Sequence, residues 1–383
     1  IVYKDETDFF VLFNWKEPVT PAHVEPADPS TILYTSGTTG LPKGVVNCHR
    51  AYFESGRQAA TLLELTPDDR LMIFLPMFHV NPQMMGIMSA VAVGASIALR
   101  PRFSATTFFE DAKRFGATGC TYVGTIFSIL VNRYPGEQRD HSMRFCFGAG
   151  AHGEVWRAVE ERFGIAVHEV YGMTEIGGWT TASSRDDRRY GSCGKPRDDI
   201  EVCIVDELDM PVPVGTKGEI VVRPKRPDRI LLGYWKQPHK LVEAIRNLWF
   251  HTGDQGSCDE DGYFYYHGRI KELIRRGGEM ISPIQIETRL MDMDGIKDCA
   301  IIGVPDSIMD EEIKAVIVAD CEIEPTKILE FLALSFPRYM LPRYIEFRNE
   351  IPKTPNEKVR RHLMRDNLPG TIDVKAHQGR VPN

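Results

Sequence analysis

Apolar and polar positions along this chain fall into two textures. From Ile32 to about Arg189, short apolar runs alternate with segments of helical period. Leu71–Leu75 is an unbroken apolar run, the pattern of a strand buried on both faces. Further strands are predicted at Ile32–Tyr34, Thr118–Val123, Phe145–Phe147 and Val167–Val170. Between them, Thr106–Phe115, Ile126–Asn132 and Glu154–Phe163 carry the spacing of amphipathic helices. Gly86–Val93 reads as a buried helix that turns at Gly94 into a strand, Ser96–Leu99. A βαβα order of this kind predicts a layered α/β domain. Residues 11–30, with Pro18, Pro21, Pro26 and Pro29, read as an extended lead-in.

After Gly191 the texture becomes β-rich. Ile200–Val205 and Gly218–Val222 predict a small β subdomain, and Asp259–Tyr266 predicts a hairpin turning at Asp261-Gly262. A compact α+β module follows: helix Pro283–Met291, strands Asp298–Val304 and Lys314–Ala319, helix Thr326–Leu334 and strand Tyr344–Phe347. The predicted division is a large domain over 1–269 and a small one over 270–383. Neither internal repeats nor low-complexity segments are visible.

A chain of 383 residues with 43% apolar content is long enough for two or three cores. Its formal charge of −7 argues against nucleic acid or an anionic membrane as the main partner. The eight cysteines are scattered singly, with no C-x-x-C pair, so neither a zinc site nor a disulfide framework is predicted and a reducing cytoplasm fits. The opening residues, with Lys4, Asp5, Glu6 and Asp8, lack the basic-then-apolar order of a signal peptide. Met84–Leu99 is too short and too rich in Gly and Ser for a membrane span.

Chemistry concentrates first in Tyr34–Gly44. This run holds Gly37, Gly40 and Gly44, the hydroxyls of Thr35, Ser36, Thr38 and Thr39, and Lys43. Glycines let backbone N–H groups approach an anion, hydroxyls donate further hydrogen bonds, and the lysine adds a point charge. The loop suits polyphosphate. It is not a Walker A loop, because Lys43 lies between Pro42 and Gly44 rather than between a glycine and a hydroxyl residue. Tyr171-Gly172-Met173-Thr174-Glu175 follows a predicted strand and sets a carboxylate beside a hydroxyl, a pairing that can hold Mg²⁺ and a phosphate together. Phe250–Asp254 ends in a carboxylate suited to ribose hydroxyls.

With Gly268–Ile274, Gly277–Glu287 and Pro352–Arg361, these segments resemble, in order, the motifs of the adenylate-forming superfamily: acyl-CoA synthetases, luciferase and nonribosomal peptide synthetase adenylation domains. The resemblance runs from about Asp28 to Arg365. It implies a large domain of layered sheets and helices with a β subdomain, and a small mobile α+β domain swinging about a hinge at 270–271, with Lys271 as hinge residue. It also implies a domain-sized segment ahead of the phosphate loop, so that the large domain is incomplete here. The implied ATP and AMP contacts are Thr35, Ser36, Gly37, Thr38, Thr39, Gly40 and Lys43, the strand end Gly148, Ala149 and Gly150 beside adenine, and Gly172 and Met173. Tyr171 stacks on adenine, Thr174 contacts the phosphate, Glu175 ligates Mg²⁺, and Asp254 and Arg269 hold the ribose. Lys358 is implied as the cation that stabilises the adenylation transition state. Glu357 precedes it where glycine is common. His79, Val123 and Gly124 are implied in the acyl pocket, and Gly277 and Gly278 in the thiol channel.

The activity implied is an AMP-forming acyl-CoA ligase using ATP, Mg²⁺ and CoA. Loading of a carrier protein and a non-catalytic nucleotide-binding role are the alternatives, and a homodimer is left open. The acid implied is fatty, aryl or small organic rather than an amino acid. The phrases Gly277–Pro283 and Pro352–Pro355 are similar to those of fatty-acid and carnitine/crotonobetaine ligases. Asp206 and Glu219 read as loop and strand-edge charges, Lys353 as a surface lysine, and Arg275-Arg276 as a solvated pair.

Overall fold

A computed structural model describes residues 20–35, 43–151, 153–277, 279–306, 308–353 and 359–374. A sheet of seven strands forms its centre. Its order is Ser96–Leu99, Arg70–Ile73, Gly119–Val123, Phe145–Ala149, Ala166–Tyr171, Thr181–Ala182 and Lys195–Pro196. The first five strands are parallel and the last two antiparallel. Alternate residues of each strand feed opposite cores, as the two-residue repeat of a strand requires. Leu71 and Ile73 pack with Ala59, Ala60 and Ala90 of the helices on one face. Met72 and Phe74 pack with Phe108, Ile126 and Trp156 of the helices on the other. Two buried faces explain why Leu71–Leu75 is apolar at every position.

The helical expectations hold with shifted ends. The run expected at Gly86–Val93 begins earlier, as a π-helix over Asn81–Ile87 continued by an α-helix over Met88–Val93. It ends at Gly94, with φ +74°. Glu154–Phe163 is likewise divided, α over Gly153–Ala158 and π over Val159–Phe163. The helix His49–Leu62 was not expected. Its buried face is Ala51, Tyr52, Ser55, Gly56, Ala59 and Ala60, too small and too polar to stand out as an apolar stripe.

Three further sheets surround this layer. Pro29–Thr35 and Lys43–Cys48 pair antiparallel, with Thr35 opposite Lys43, and Gly233–Tyr234 adds a third strand. The expected β subdomain is a five-stranded antiparallel sheet built on Trp249–Cys258, a strand that the hairpin reading had not included. Its partner across the Asp261-Gly262 turn is Phe264–Arg269. Toward the C-terminus a six-stranded sheet centres on Asp310–Ala319, paired antiparallel with Ile296–Asp306 and parallel with Tyr344–Phe347. Helices Pro283–Met291 and Pro325–Ala333 contribute Ile286, Leu290, Ile328 and Leu332 to its core.

Two charges thought to be solvated are not. Arg276 is buried, paired with Glu312 at 2.6 Å and donating to the carbonyls of Tyr339 and Leu341. Lys353 is half-buried and paired with Asp298. Among the described residues no helix is long and apolar enough to cross a membrane.

Candidate active site

The carboxyl ends of the parallel strands open into one cleft of about 2690 Å³. Ligands of open α/β sheets bind at this edge, where loops leave the strands and can be aimed without disturbing the sheet. Thr35, Lys43, His79, Val123, Ala149, Gly150, Tyr171, Gly172, Met173, Thr174, Glu175, Asp254, Arg269 and Lys271 all line it. Segments from Thr35 to Lys271 thus meet around one cleft. Ser36, Gly37, Thr38, Thr39, Gly40, Gly278 and Lys358 lie outside the described residues.

The ends of the phosphate loop are fixed by the register of the hairpin that carries them, Thr35 facing Lys43 and Tyr34 facing Gly44. Lys43 Nζ lies 5.2 Å from the centre of the Tyr234 ring. The Tyr234 hydroxyl donates to Glu175 Oε1 at 3.3 Å. Tyr234 therefore bridges the cation of the phosphate loop and the acid of the Tyr171–Glu175 turn. Burial pushes the Glu175 carboxyl up, and the charges of Arg269 and Lys43 pull it back. Glu175 and the Thr174 hydroxyl offer hard oxygens of the kind Mg²⁺ takes. Among the described residues no cluster of three or more His, Cys, Asp or Glu could hold a metal. That sparse donor set fits Mg²⁺, which is usually bound by one or two carboxylates together with substrate phosphates.

Asp254 is held by two partners. Its side chain is almost wholly buried, and Oδ2 accepts the Tyr171 hydroxyl at 2.7 Å. Arg269 Nε approaches Oδ1 at 2.9 Å, yet Oδ1 receives no well-aligned hydrogen bond. The Asp254–Arg269 pair lines the cleft, and a carboxylate has more lone pairs than these two partners engage. Burial pushes this carboxyl up to about 6 even with Arg269 beside it. Tyr171 has Tyr266 stacked 5.8 Å away, which fixes the ring plane.

Gly124, Gly148 and Gly277 do not line the cleft. The first two act behind its wall. A Cβ on Gly124 would lie 1.7 Å from the Gly150 carbonyl oxygen, and one on Gly148 would lie 2.1 Å from that of Tyr122. Bare backbone is required for the strand ends to pack, which is a different reason from ligand contact. Gly277 sits in a turn with φ +57°, against Met309. Val359, Arg360 and Arg361 line the cleft, whereas Gly277 does not.

Several residues of the site were not read from the sequence. Glu219, taken for a strand-edge charge, accepts from the Gly253 N–H at 2.9 Å and lies 2.9 Å from His251 Nδ1, so it holds the turn that presents Asp254. Glu169 accepts from the backbone at Gly150 and Ala151. Arg361 pairs with Glu287 at 2.7 Å and Glu272 at 3.2 Å. Lys314, wholly buried, donates to the carbonyls of Met364 and Asp366 at 3.0 and 2.7 Å. These two cations tie down the chain just after Lys358. Lys314 did carry a signal, being a lone charge in the apolar run Ile313–Ala319. Tyr234 carried none, because its partners come from remote segments.

The sequence profile of the AMP-binding enzyme family matches residues 2–235, and that of the AMP-binding enzyme C-terminal domain matches 285–358. The chain belongs to the AMP-binding enzyme family. Among its relatives is the sulfoacetate–CoA ligase of Cupriavidus necator, 36% identical over 346 residues, covering 88% of this chain and 67% of that protein. The crotonobetaine/carnitine–CoA ligase of Salmonella paratyphi C is 33% identical over 347 residues, covering 89% and 67%. ATP-bound MatB from Rhodopseudomonas palustris superposes with a TM-score of 0.82 at 28% identity, covering 89% of this chain and 68% of that one.

Proposed function

We propose that this chain activates a carboxylic acid as its acyl-adenylate and passes the acyl group to CoA. It is an ATP-dependent acyl-CoA ligase. The observation that carries the reading is the convergence on one cleft of Lys43, Glu175 and the Asp254–Arg269 pair. In the first step a carboxylate oxygen of the acid attacks the α-phosphorus of ATP, the bond to the β-phosphate oxygen breaks, and pyrophosphate leaves. Lys43 and the phosphate loop hold the departing charge, and Thr174 contacts the α-phosphate. Lys358 stabilises the negative charge that builds in the transition state. Glu175 would hold Mg²⁺, which would supply further charge neutralisation at the phosphates. Asp254 and Arg269 hold the ribose, and Tyr171 borders adenine, so the α-phosphorus stands still relative to the acid.

In the second step the CoA thiolate attacks the acyl carbonyl carbon, the mixed-anhydride C–O bond breaks, and AMP leaves. We assign the domain boundary to 269/270, with reorientation about Lys271 bringing Gly277 and Gly278 to the cleft in place of the Lys358 segment. The cleft also carries Phe74, Phe78, Val123, Ile126 and His79, apolar and aromatic surface suited to the acyl group of the acid. All eight cysteines are unpaired, which supports a reducing compartment such as the cytoplasm.

The test is ATP–pyrophosphate exchange over a panel of acids that includes sulfoacetate, carnitine, crotonobetaine, malonate and fatty acids, with and without CoA. Exchange that depends on one acid class, with AMP release that depends on CoA, is expected. Acyl transfer to a phosphopantetheine carrier but not to CoA, with AMP released, would move the activity to carrier loading.

A further inference from the structure

Glu169 is an acid that the chemistry above leaves unused. It lies two residues before Tyr171 on the same strand, is buried, and reaches the cleft wall. Three donors converge on its carboxylate. The Gly150 N–H donates to Oε1, while the Tyr122 hydroxyl and, at 3.1 Å, the Ala151 N–H donate to Oε2. Its own backbone N–H is held by Ser183 Oγ at 2.8 Å, so the strand cannot slide beneath it. Among the described residues no lysine, arginine or histidine forms an ion pair with it. The titratable groups that face it are Tyr122, Cys146 and Cys193, and burial holds the protons of all three well above the neutral range.

A buried carboxylate serving three donors and no cation is a clamp on the backbone that supplies two of them. That backbone is the turn after Ala149, the strand end that borders the nucleotide. The same turn is fixed from its other side by Gly124, whose bare Cα lets the Gly150 carbonyl approach. We propose that Glu169 is a positioning residue of the nucleotide site, which in its ionised form holds the Ala149–Ala151 turn where it borders the adenylate and on protonation lets it go. The proposal rests on the nucleotide reading given above.

The chemistry of release is a matter of donors and charge. A carboxylate has lone pairs for all three donors. Protonation turns one acceptor site into an O–H donor and removes the negative charge that strengthens all three bonds, so the hold on the turn weakens. Burial pushes the Glu169 carboxyl up to about 7, so the exchange between the two forms falls in the neutral range. Nucleotide affinity should therefore be higher at pH 8 than at pH 6. Asp254 also titrates high, at about 6, but it acts on the ribose side and can be removed separately.

The experiment is calorimetric titration of AMP and of ATP into the full chain from pH 5.5 to 8.5, with wild type, Glu169→Gln and Asp254→Asn. In wild type, AMP affinity should rise about tenfold across neutrality, the worth of roughly one charge-assisted hydrogen bond. Glu169→Gln should bind at the weak acid-side level and lose this step, keeping only the lower one that belongs to Asp254. Asp254→Asn, weaker throughout, should keep the step near 7, and it carries the test should Glu169→Gln fail to fold by circular dichroism. A wild-type profile unchanged in Glu169→Gln, or a flat profile in Asp254→Asn, would overturn the clamp while leaving nucleotide binding intact. Absence of AMP and ATP binding at every pH would overturn the nucleotide reading and the clamp with it.

Discussion

Asp254 offers the sharpest test of the site, because its two oxygens do different things. Oδ2 accepts the Tyr171 hydroxyl, and Oδ1 has lone pairs to spare beside Arg269. In Asp254→Asn the shape is kept. The remaining carbonyl oxygen can still take the Tyr171 hydroxyl, but the amide must then point toward Arg269 and toward the ligand. A ribose hydroxyl that donated to a carboxylate meets a donor instead. A hydrogen bond to a charged group is worth about 1.5–3 kcal/mol, so AMP should bind roughly 10- to 150-fold more weakly. The fold should survive. The folded carboxyl sits at about 6, above the ~3.9 of an unfolded aspartate. Its charged form is therefore the costly one, and it subtracts stability as pH rises from about 4 through 6. Removing that charge should leave the melting temperature at pH 7.5 unchanged or raised. The assay pairs AMP with 2′,3′-dideoxy-AMP in both proteins. Wild type should favour AMP strongly, and the variant should bind both equally weakly. If the variant lost the same factor for both ligands, Asp254 would be acting through Arg269 or Tyr171, and the ribose assignment would be wrong.

Lys358→Ala should abolish acid-dependent ATP–pyrophosphate exchange yet spare thioester formation from preformed acyl-AMP and CoA, and equal loss of both half-reactions would remove it from the adenylation role. Lys43→Met should raise the KM for ATP and weaken pyrophosphate inhibition with little effect on AMP affinity, as measured by product-inhibition kinetics. Lys314→Ala leaves Glu346, 2.7 Å from the ammonium, buried without that partner; breaking such a pair costs about 3–5 kcal/mol, readable in urea unfolding, and Lys314→Met with Glu346→Leu should recover much of the loss. Because burial lifts Glu169 from its usual range to about 7, its ionisation should cost stability as pH rises through that window. The melting temperature of wild type relative to Glu169→Gln should accordingly fall from pH 5 to pH 8, and a constant difference would count against that ionisation.

What the chain declares locally and what it hides follow one physical rule. Strand Leu71–Leu75 is legible because both its faces are covered, so the apolar run has no gaps. Helix His49–Leu62 is not, because it packs through alanine, serine and glycine, which leave no hydrophobic stripe. The proposed phosphate loop, the Tyr171–Glu175 turn and the Asp254 turn are legible because each is a contiguous segment whose composition already suggests a ligand chemistry. Gly124 and Gly148, expected beside the acyl chain and adenine, also lie tight against the Gly150 and Tyr122 carbonyls. From sequence, a glycine that admits a ligand and one that admits another backbone look alike.

By itself, then, the sequence determined the order of elements, the α/β and α+β textures, and the local motifs proposed to bind phosphate, magnesium and ribose, since these depend on neighbours within a few residues. Only the tertiary structure decided that Tyr234 stands between Lys43 and Glu175, that Glu219 holds the turn before Asp254, that Glu169 clamps the Gly150 backbone, and that Lys314 and Arg361 anchor the segment after Lys358. Each of these is a hydrogen bond or ion pair between groups far apart in the chain. Its energy comes from burial and alignment, and both exist only once the strands have closed into sheets.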